Sequence, residues 1–318
     1  MLGHAPELVE GMIEIAYQRK WLETTFSAIN FAQCVVQGLW YTNHPLLQVP
    51  HLSEGDVAGI VSSSSDASKA FPEFLRNPQN YTSHLTKLSP EQQADVIKAT
   101  DLFPRMKVDT KLFVEEPETD FTDGAPVEND PQEVSGDSIY EQDLVTLRVT
   151  LTRENTPVGK DTPPVYAPAF PTTIRENWWL ILTDKQQPGA ARKPNAEAGI
   201  HAVEKVTDIS RKIVHELRFM APQRAGRYEM ELHVYSDCYM GLDQSIDLAF
   251  DVLPASELPE YVPHPEDVEL DNEPTLFEQV MAANVDDSSD EEPDEQQGGN
   301  NKNGVAESKA NGDESDED

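Results

Sequence analysis

The sequence is short of cysteine, of positive charge and of long apolar runs, and each shortage excludes a class of protein. Two cysteines, Cys34 and Cys238, lie far apart and build no disulfide framework, which fits a reducing, cytosolic exposure. With 24 Lys and Arg against 58 Asp and Glu, the net charge is −34. No basic stretch is present to neutralise phosphates, so nucleic acid is not an expected partner and basic protein segments are. No run approaches the roughly 18 apolar residues of a membrane span, and the start MLGHAPELVE lacks the basic and apolar regions of a signal peptide. The expectation is a soluble chain. Catalytic signatures are also missing: there is no phosphate-loop GxxxxGK, no HExxH, no GxSxG and no CxxC. This predicts a protein that is not an enzyme and has no cofactor and no metal. His201, His215 and His233 read as ordinary surface or core histidines of strands.

What is there begins as helices. From Glu7 to Lys20, Leu8, Met12, Ile15 and Ala16 share one helical face, and from Thr24 to Tyr41, Phe26, Ile29, Val36, Leu39 and Trp40 do much the same. These aromatic and methionine positions are assigned to the core. Asn43-His44-Pro45 is expected to stop the second helix, and Ser62 to Ser65 reads as a mobile loop. Ser89-Pro90-Glu91-Gln92 supplies a capping hydroxyl, a proline at the first helical position and a Gln three residues after the cap, which predicts a helix from Pro90 to Phe103.

At Lys107 the period changes. Val108, Thr110, Leu112 and Val114 alternate, as do Val145, Leu147, Val149 and Leu151, and further strands are predicted at Trp178–Thr183, Ile200–Lys205, Ile213–Phe219, Tyr228–Val234 and Ile246–Val252. Seven short strands suggest a sandwich. Tyr228 stands near the start of the sixth strand, two residues before an inward position, where immunoglobulin-like folds place a tyrosine corner. Trp178 or Trp179 supplies a core tryptophan. Met230 replaces the second cysteine of antibody domains, so the domain reads as fibronectin type III-like. The expected fold class is therefore α+β and multidomain: a helical domain over 1–106, the β-sandwich over 107–254, and an extended linker and disordered acidic tail over 255–318. Between the first two strands, Glu115 to Asp143 holds 11 acids and no Lys or Arg, and is expected to be disordered.

Three motifs carry a family resemblance: Pro45-Leu46-Leu47-Gln48-Val49-Pro50-His51, Ala167-Pro168-Ala169-Phe170-Pro171 leading to Trp178-Trp179, and Ser236-Asp237-Cys238-Tyr239-Met240-Gly241-Leu242-Asp243-Gln244. Together they resemble the cytosolic module of the Sec sixty-three translocation proteins of the endoplasmic reticulum, a module that also ends the cassettes of large spliceosomal RNA helicases. The resemblance implies a chain held on the cytosolic face of the endoplasmic reticulum membrane. Its sandwich would dock on the Sec sixty-one channel, and its acidic tail would bind the basic region of Sec sixty-two. Such proteins also carry membrane spans and a J-domain that recruits the Hsp70 called BiP; the chain has neither and resembles their C-terminal part. His264-Pro265-Glu266-Asp267 is no J-domain tripeptide, because Glu266 interrupts it. An accessory module of an RNA helicase and a free acidic scaffold are the alternatives.

In the tail, the residues expected to bind a basic partner are Asp286, Asp287, Asp290, Glu291, Glu292, Asp294, Glu295, Asp313, Glu314, Asp316, Glu317 and Asp318. From Asp286 onward, 13 acids face only Lys302 and Lys309, a net −11. Ser288, Ser289 and Ser315 each have an acid at the third following position, the pattern that casein-kinase-2-type enzymes read, and are candidate phosphorylation sites. The loop residues Tyr239, Met240, Gly241 and Asp243 are the remaining candidates, either packed on the helical part or presented to a partner.

Overall fold

Helices occupy the first hundred residues, and two of them begin at capping boxes. The computed structural model describes residues 2–64, 66–114, 139–185 and 199–258. Among these are α1 (Ala5–Gln18), α2 (Leu22–Gln37), α3 (Glu54–Ser63), α4 (Ala70–Arg76) and α5 (Pro90–Thr100). At α5 the Ser89 hydroxyl accepts from the Gln92 backbone N–H and the Gln92 side chain accepts from that of Ser89, at 3.2 and 3.0 Å, the reciprocal cap that the sequence predicts. Ser53 and Asp56 form the same box at the start of α3. That helix runs through Ser62 and Ser63, so the loop expected there is corrected. The stop of α2 is corrected as well. Gly38 takes a left-handed conformation, φ 65°, and ends the helix at Gln37, well before Pro45.

The buried face of α1 also differs from expectation. Val9, Ile13 and Ala16 are buried, whereas Leu8, Met12 and Ile15 are exposed. The helix has two apolar stripes, and the one that meets α2 and Trp179 is the second. Trp40 is exposed too, because Gly38 turns the chain before it.

Among the described residues eight strands follow: β1 (Met106–Val114), β2 (Ile139–Tyr140), β3 (Leu144–Arg153), β4 (Trp178–Asp184), β5 (Ile200–Val206), β6 (Lys212–Met220), β7 (Gly226–Ser236) and β8 (Gln244–Leu253). They form a three-stranded sheet, β1-β3-β6, and a five-stranded sheet, β2-β8-β7-β4-β5. Every pairing is antiparallel except β2 with β8. Val145, Leu147, Val149 and Leu151 of β3 share one core with Trp178, Leu180 and Leu182 of β4 and Leu232 and Val234 of β7, as period-two alternation requires. The Tyr228 hydroxyl donates to the Arg224 carbonyl at 2.9 Å.

β4 is buried on both faces. Trp178, Leu180 and Leu182 look toward the other sheet, while Trp179 and Ile181 pack with Val9 and Ile13 of α1 and Phe26, Ala28, Ile29 and Ala32 of α2. α1 and α2 therefore cover the outer face of the larger sheet at β4.

The expectation of disorder over 115–143 is corrected for its last five residues; 115–138 lie outside the described residues. Ile139 is fully buried, and the acids beside it hold backbone N–H groups. Asp143 accepts from Tyr140 at 2.7 Å, and Glu141 from Ala225 at 2.7 Å and Ala255 at 3.2 Å. Composition hid this strand because the carboxylates that follow it, Glu141 and Asp143, accept backbone hydrogen bonds.

Candidate functional site

The loop joining β7 to β8 is the most specific motif of the sequence, and the fold drives it between the helices and the sheets. Cys238, Tyr239, Met240 and Leu242 are buried. Such a loop must find partners for its backbone polar groups, and glutamines supply them. On α2, Gln33 Nε2 donates to the Ser236 carbonyl at 2.7 Å and Gln37 Nε2 to the Cys238 carbonyl at 2.8 Å. From the turn Pro45–Gln48, Gln48 Nε2 donates to the Met240 carbonyl at 2.8 Å, and its Oε1 accepts from the Met240 N–H at 2.9 Å.

The loop also ties itself. Ser236 Oγ accepts from the N–H groups of Cys238 and Tyr239, both at 3.1 Å. Asp237 and Asn177 exchange three bonds, of 2.7, 2.9 and 3.1 Å. The Tyr239 hydroxyl accepts from the Tyr166 N–H at 2.9 Å, and its ring lies 5.2 Å from that of Phe103. Gly241 has φ 75°, and a Cβ there would stand 2.6 Å from Pro45 Cγ. The motifs at 45–51 and 236–244 are thus two halves of one contact.

Burial sets the chemistry of this region. Desolvation pushes the Asp243 carboxyl up to about 7, although Gln33 and the Ser236 N–H donate to it. Asp237 and Glu176 are raised for the same reason. The Cys238 thiol is pushed well above its ordinary value by burial beside Asp237, so it has little thiolate character and is a poor nucleophile. Beneath the loop, fully buried Arg153 donates to Glu176 at 2.5 Å and to the carbonyls of Ser210 and Asp208 at 2.6 and 3.1 Å. Among the described residues no group of three His, Cys, Asp or Glu could hold a metal ion, and no helix is long and apolar enough to cross a membrane. His233 sits between Thr183 and Ser245 at 3.1 and 3.0 Å, and His201 meets Asp184 at 2.7 Å.

Tyr239, Met240, Gly241 and Asp243 are therefore brought together, packed against the helical elements. The tail acids from Asp286 to Asp318 and Ser288, Ser289 and Ser315 lie outside the described residues. Sequence reasoning missed Gln33, Gln37, Gln48 and the Arg153–Glu176 pair. Nothing local marks the first two, because α2 also carries Glu23, Thr24, Thr25, Ser27 and Asn30.

Residues 1–249, which hold both halves of this contact, match the Sec63 Brl domain. The chain belongs to the Sec63 Brl domain family. Relatives of this Brl domain fall in two kinds of protein. The chain is 25% identical over 252 residues to the U5 small nuclear ribonucleoprotein 200 kDa helicase of Homo sapiens, covering 79% of the chain and 10% of that protein. It is 24% identical over 255 residues to the DExH-box ATP-dependent RNA helicase DExH12 of Arabidopsis thaliana, covering 79% and 10%. To the DnaJ protein ERDJ2B of Arabidopsis thaliana it is 25% identical over 302 residues, covering 80% and 41%. The chain thus spans about a tenth of the length of the helicases it matches, and the Brl domain alone does not choose between the two settings.

Proposed function

We propose that the chain is a non-enzymatic interaction module of the protein translocation machinery, on the cytosolic face of the endoplasmic reticulum membrane. In this reading it docks on the Sec sixty-one channel, and its acidic tail tethers the basic region of Sec sixty-two during post-translational import. The observation that carries the reading is where the charge lies. Of the net −34, residues 115–138 carry −9 and residues 259–318 carry −18. Polyanionic segments attract basic protein segments and repel nucleic-acid phosphate. The 41% span of a DnaJ protein supports the same setting.

The two sheets, in the order β1-β3-β6 and β2-β8-β7-β4-β5, and the Tyr228 bond support a fibronectin type III-like sandwich over 107–254, following a helical domain over 1–106. Residues 255–318 are then the linker and tail. Phosphates at Ser288, Ser289 and Ser315 would each add about −1.5 to −2 charges, strengthening the tether.

The test is a pull-down of the basic region of Sec sixty-two by the full chain, by a chain ending at Val285, and by a chain with Ala at the three serines. Each is kinase-treated and measured across a salt series. The full chain is expected to bind best and to lose binding steeply with salt. Equal binding by full and shortened chains, or binding indifferent to salt, refutes the tether; equal binding by the Ala variant removes only the phosphorylation step. A second reading, an accessory module of an RNA helicase, is favoured by helicase relatives from plants and animals. ATPase motifs encoded upstream in the same gene would select it.

A further inference from the structure

An ordered turn displays two aromatic side chains beside the exposed face of α2. Trp40 is 75% exposed, Tyr41 78% and Phe31 51%. With Val35, Leu39 and Ala169 they line an open groove of about 700 Å³. Among the described residues no Asp, Glu, Lys or Arg lines it, in a chain of which 26% is charged. An uncharged aromatic patch on an otherwise charged surface marks an interaction site, and Trp and Tyr dominate binding energy where they are pre-placed. They are pre-placed here. The Trp40 N–H donates to Asn43 Oδ1 at 2.8 Å and the Asn43 N–H to the Trp40 carbonyl at 2.9 Å, while left-handed Gly38 lies close against Ala169. On α1, packed beside α2, Leu8, Met12 and Ile15 recur at i, i+4 and i+7 and stand 72%, 54% and 61% exposed.

We propose that the groove of Phe31, Trp40 and Tyr41 is a docking site for an amphipathic helix of a partner protein, with apolar anchors at i, i+3 or i+4, and i+7 and basic flanks. The volume suits the anchors of one helix laid in a groove. Charge selects the occupant. A second copy would bring another −34 and an anionic lipid surface would be repelled likewise, whereas basic flanks meet α1 and α2, which carry Glu7, Glu10, Glu14 and Glu23 and no Lys or Arg. The inference does not rest on the translocation reading.

The probe is a labelled 18-residue peptide of Leu and Lys with its leucines on one helical face, compared with an isomer whose leucines are spread around the helix. Both are titrated with the full chain at physiological salt. The patterned peptide is expected to bind about tenfold more tightly, and Trp40→Ser and Phe31→Ser each to remove about tenfold, as an anchor contact does. The thermal midpoint should stay unchanged, and Val158→Ser, at an exposed apolar position elsewhere, should have no effect on binding. If Trp40→Ser shifts the midpoint, Tyr41→Ser takes its place. The proposal is overturned if the isomers bind equally, if the groove variants bind like the parent, or if sedimentation shows a dimer of the full chain that Trp40→Ser dissociates.

Discussion

Gln48 and Met240 exchange two hydrogen bonds: the amide of Gln48 gives one to the Met240 carbonyl at 2.8 Å and takes one from the Met240 N–H at 2.9 Å. A side chain here does what a neighbouring strand does elsewhere, and both groups are buried. Gln48→Ala leaves a donor and an acceptor unpaired and is expected to destabilise by about 2–4 kcal/mol. Gln48→Glu keeps the acceptor but sets a carboxylate against two carbonyls, those of Met240 and Pro45. It should therefore destabilise more at pH 8 than at pH 4. Chemical denaturation at both pH values checks this, and equal stability of parent and Gln48→Ala would show the exchange to be dispensable.

Gly241→Ala should be among the most damaging single changes in the loop. The position combines φ 75° with Pro45 atoms 2.6 and 2.7 Å from a built Cβ. Backbone strain and overpacking each cost about 1–3 kcal/mol. Pro45→Ala removes only the ring, so the double variant should recover part of the loss. Thermal midpoints of the three variants measure that recovery.

Asp243 makes stability depend on pH in a direction that can be stated. Its folded value, about 7, lies above the ordinary carboxylate value. Between about pH 4 and pH 7 the folded chain thus keeps a proton that the unfolded chain has lost. The contribution is complete below about pH 4 and is lost as pH rises through 7. Asp243→Asn can keep the acceptor for Gln33 and the Ser236 N–H but carries no charge. It should be near neutral at pH 4 and stabilising at pH 8, by an amount on the order of 1–3 kcal/mol. Unfolding curves of parent and variant that stay parallel from pH 4 to 8 would remove Asp243 from the linkage.

The Arg153–Glu176 pair gives a double-mutant test. Glu176→Gln leaves a fully buried guanidinium without its counter-charge and should cost about 3–5 kcal/mol. Arg153→Met with Glu176→Leu should cost clearly less than the sum of the single changes, because neither charge then remains buried alone. Additive losses would mean that the two residues stabilise the fold separately.

Strands were the most legible part of the sequence, because β6 and β8 each bury one side of a sheet and alternate accordingly. The caps at Ser89 and Gln92 were equally plain. What stayed hidden depended on distant partners. The side of α1 that is buried is fixed by Trp179 and Ile181, more than 160 residues away. Ile139 lay among acids whose work is to accept backbone hydrogen bonds. Of the candidate loop, Gly241 was visible as a conformational requirement and Tyr239 as a packing residue. The glutamines that hold the loop were not, since nothing in an isolated helix says that an amide will meet a carbonyl some 200 residues later.

β4 has one further consequence. It lies between β7 and β5 in its sheet and is sealed above and below by two different cores, so no local fluctuation can bring solvent to its backbone without parting helices from sheet or sheet from sheet. The amides of Leu180, Ile181 and Leu182 should therefore exchange their hydrogens only when the whole folded unit opens. Their exchange rates then serve as a built-in gauge of global stability, against which the fraying of any other element can be timed.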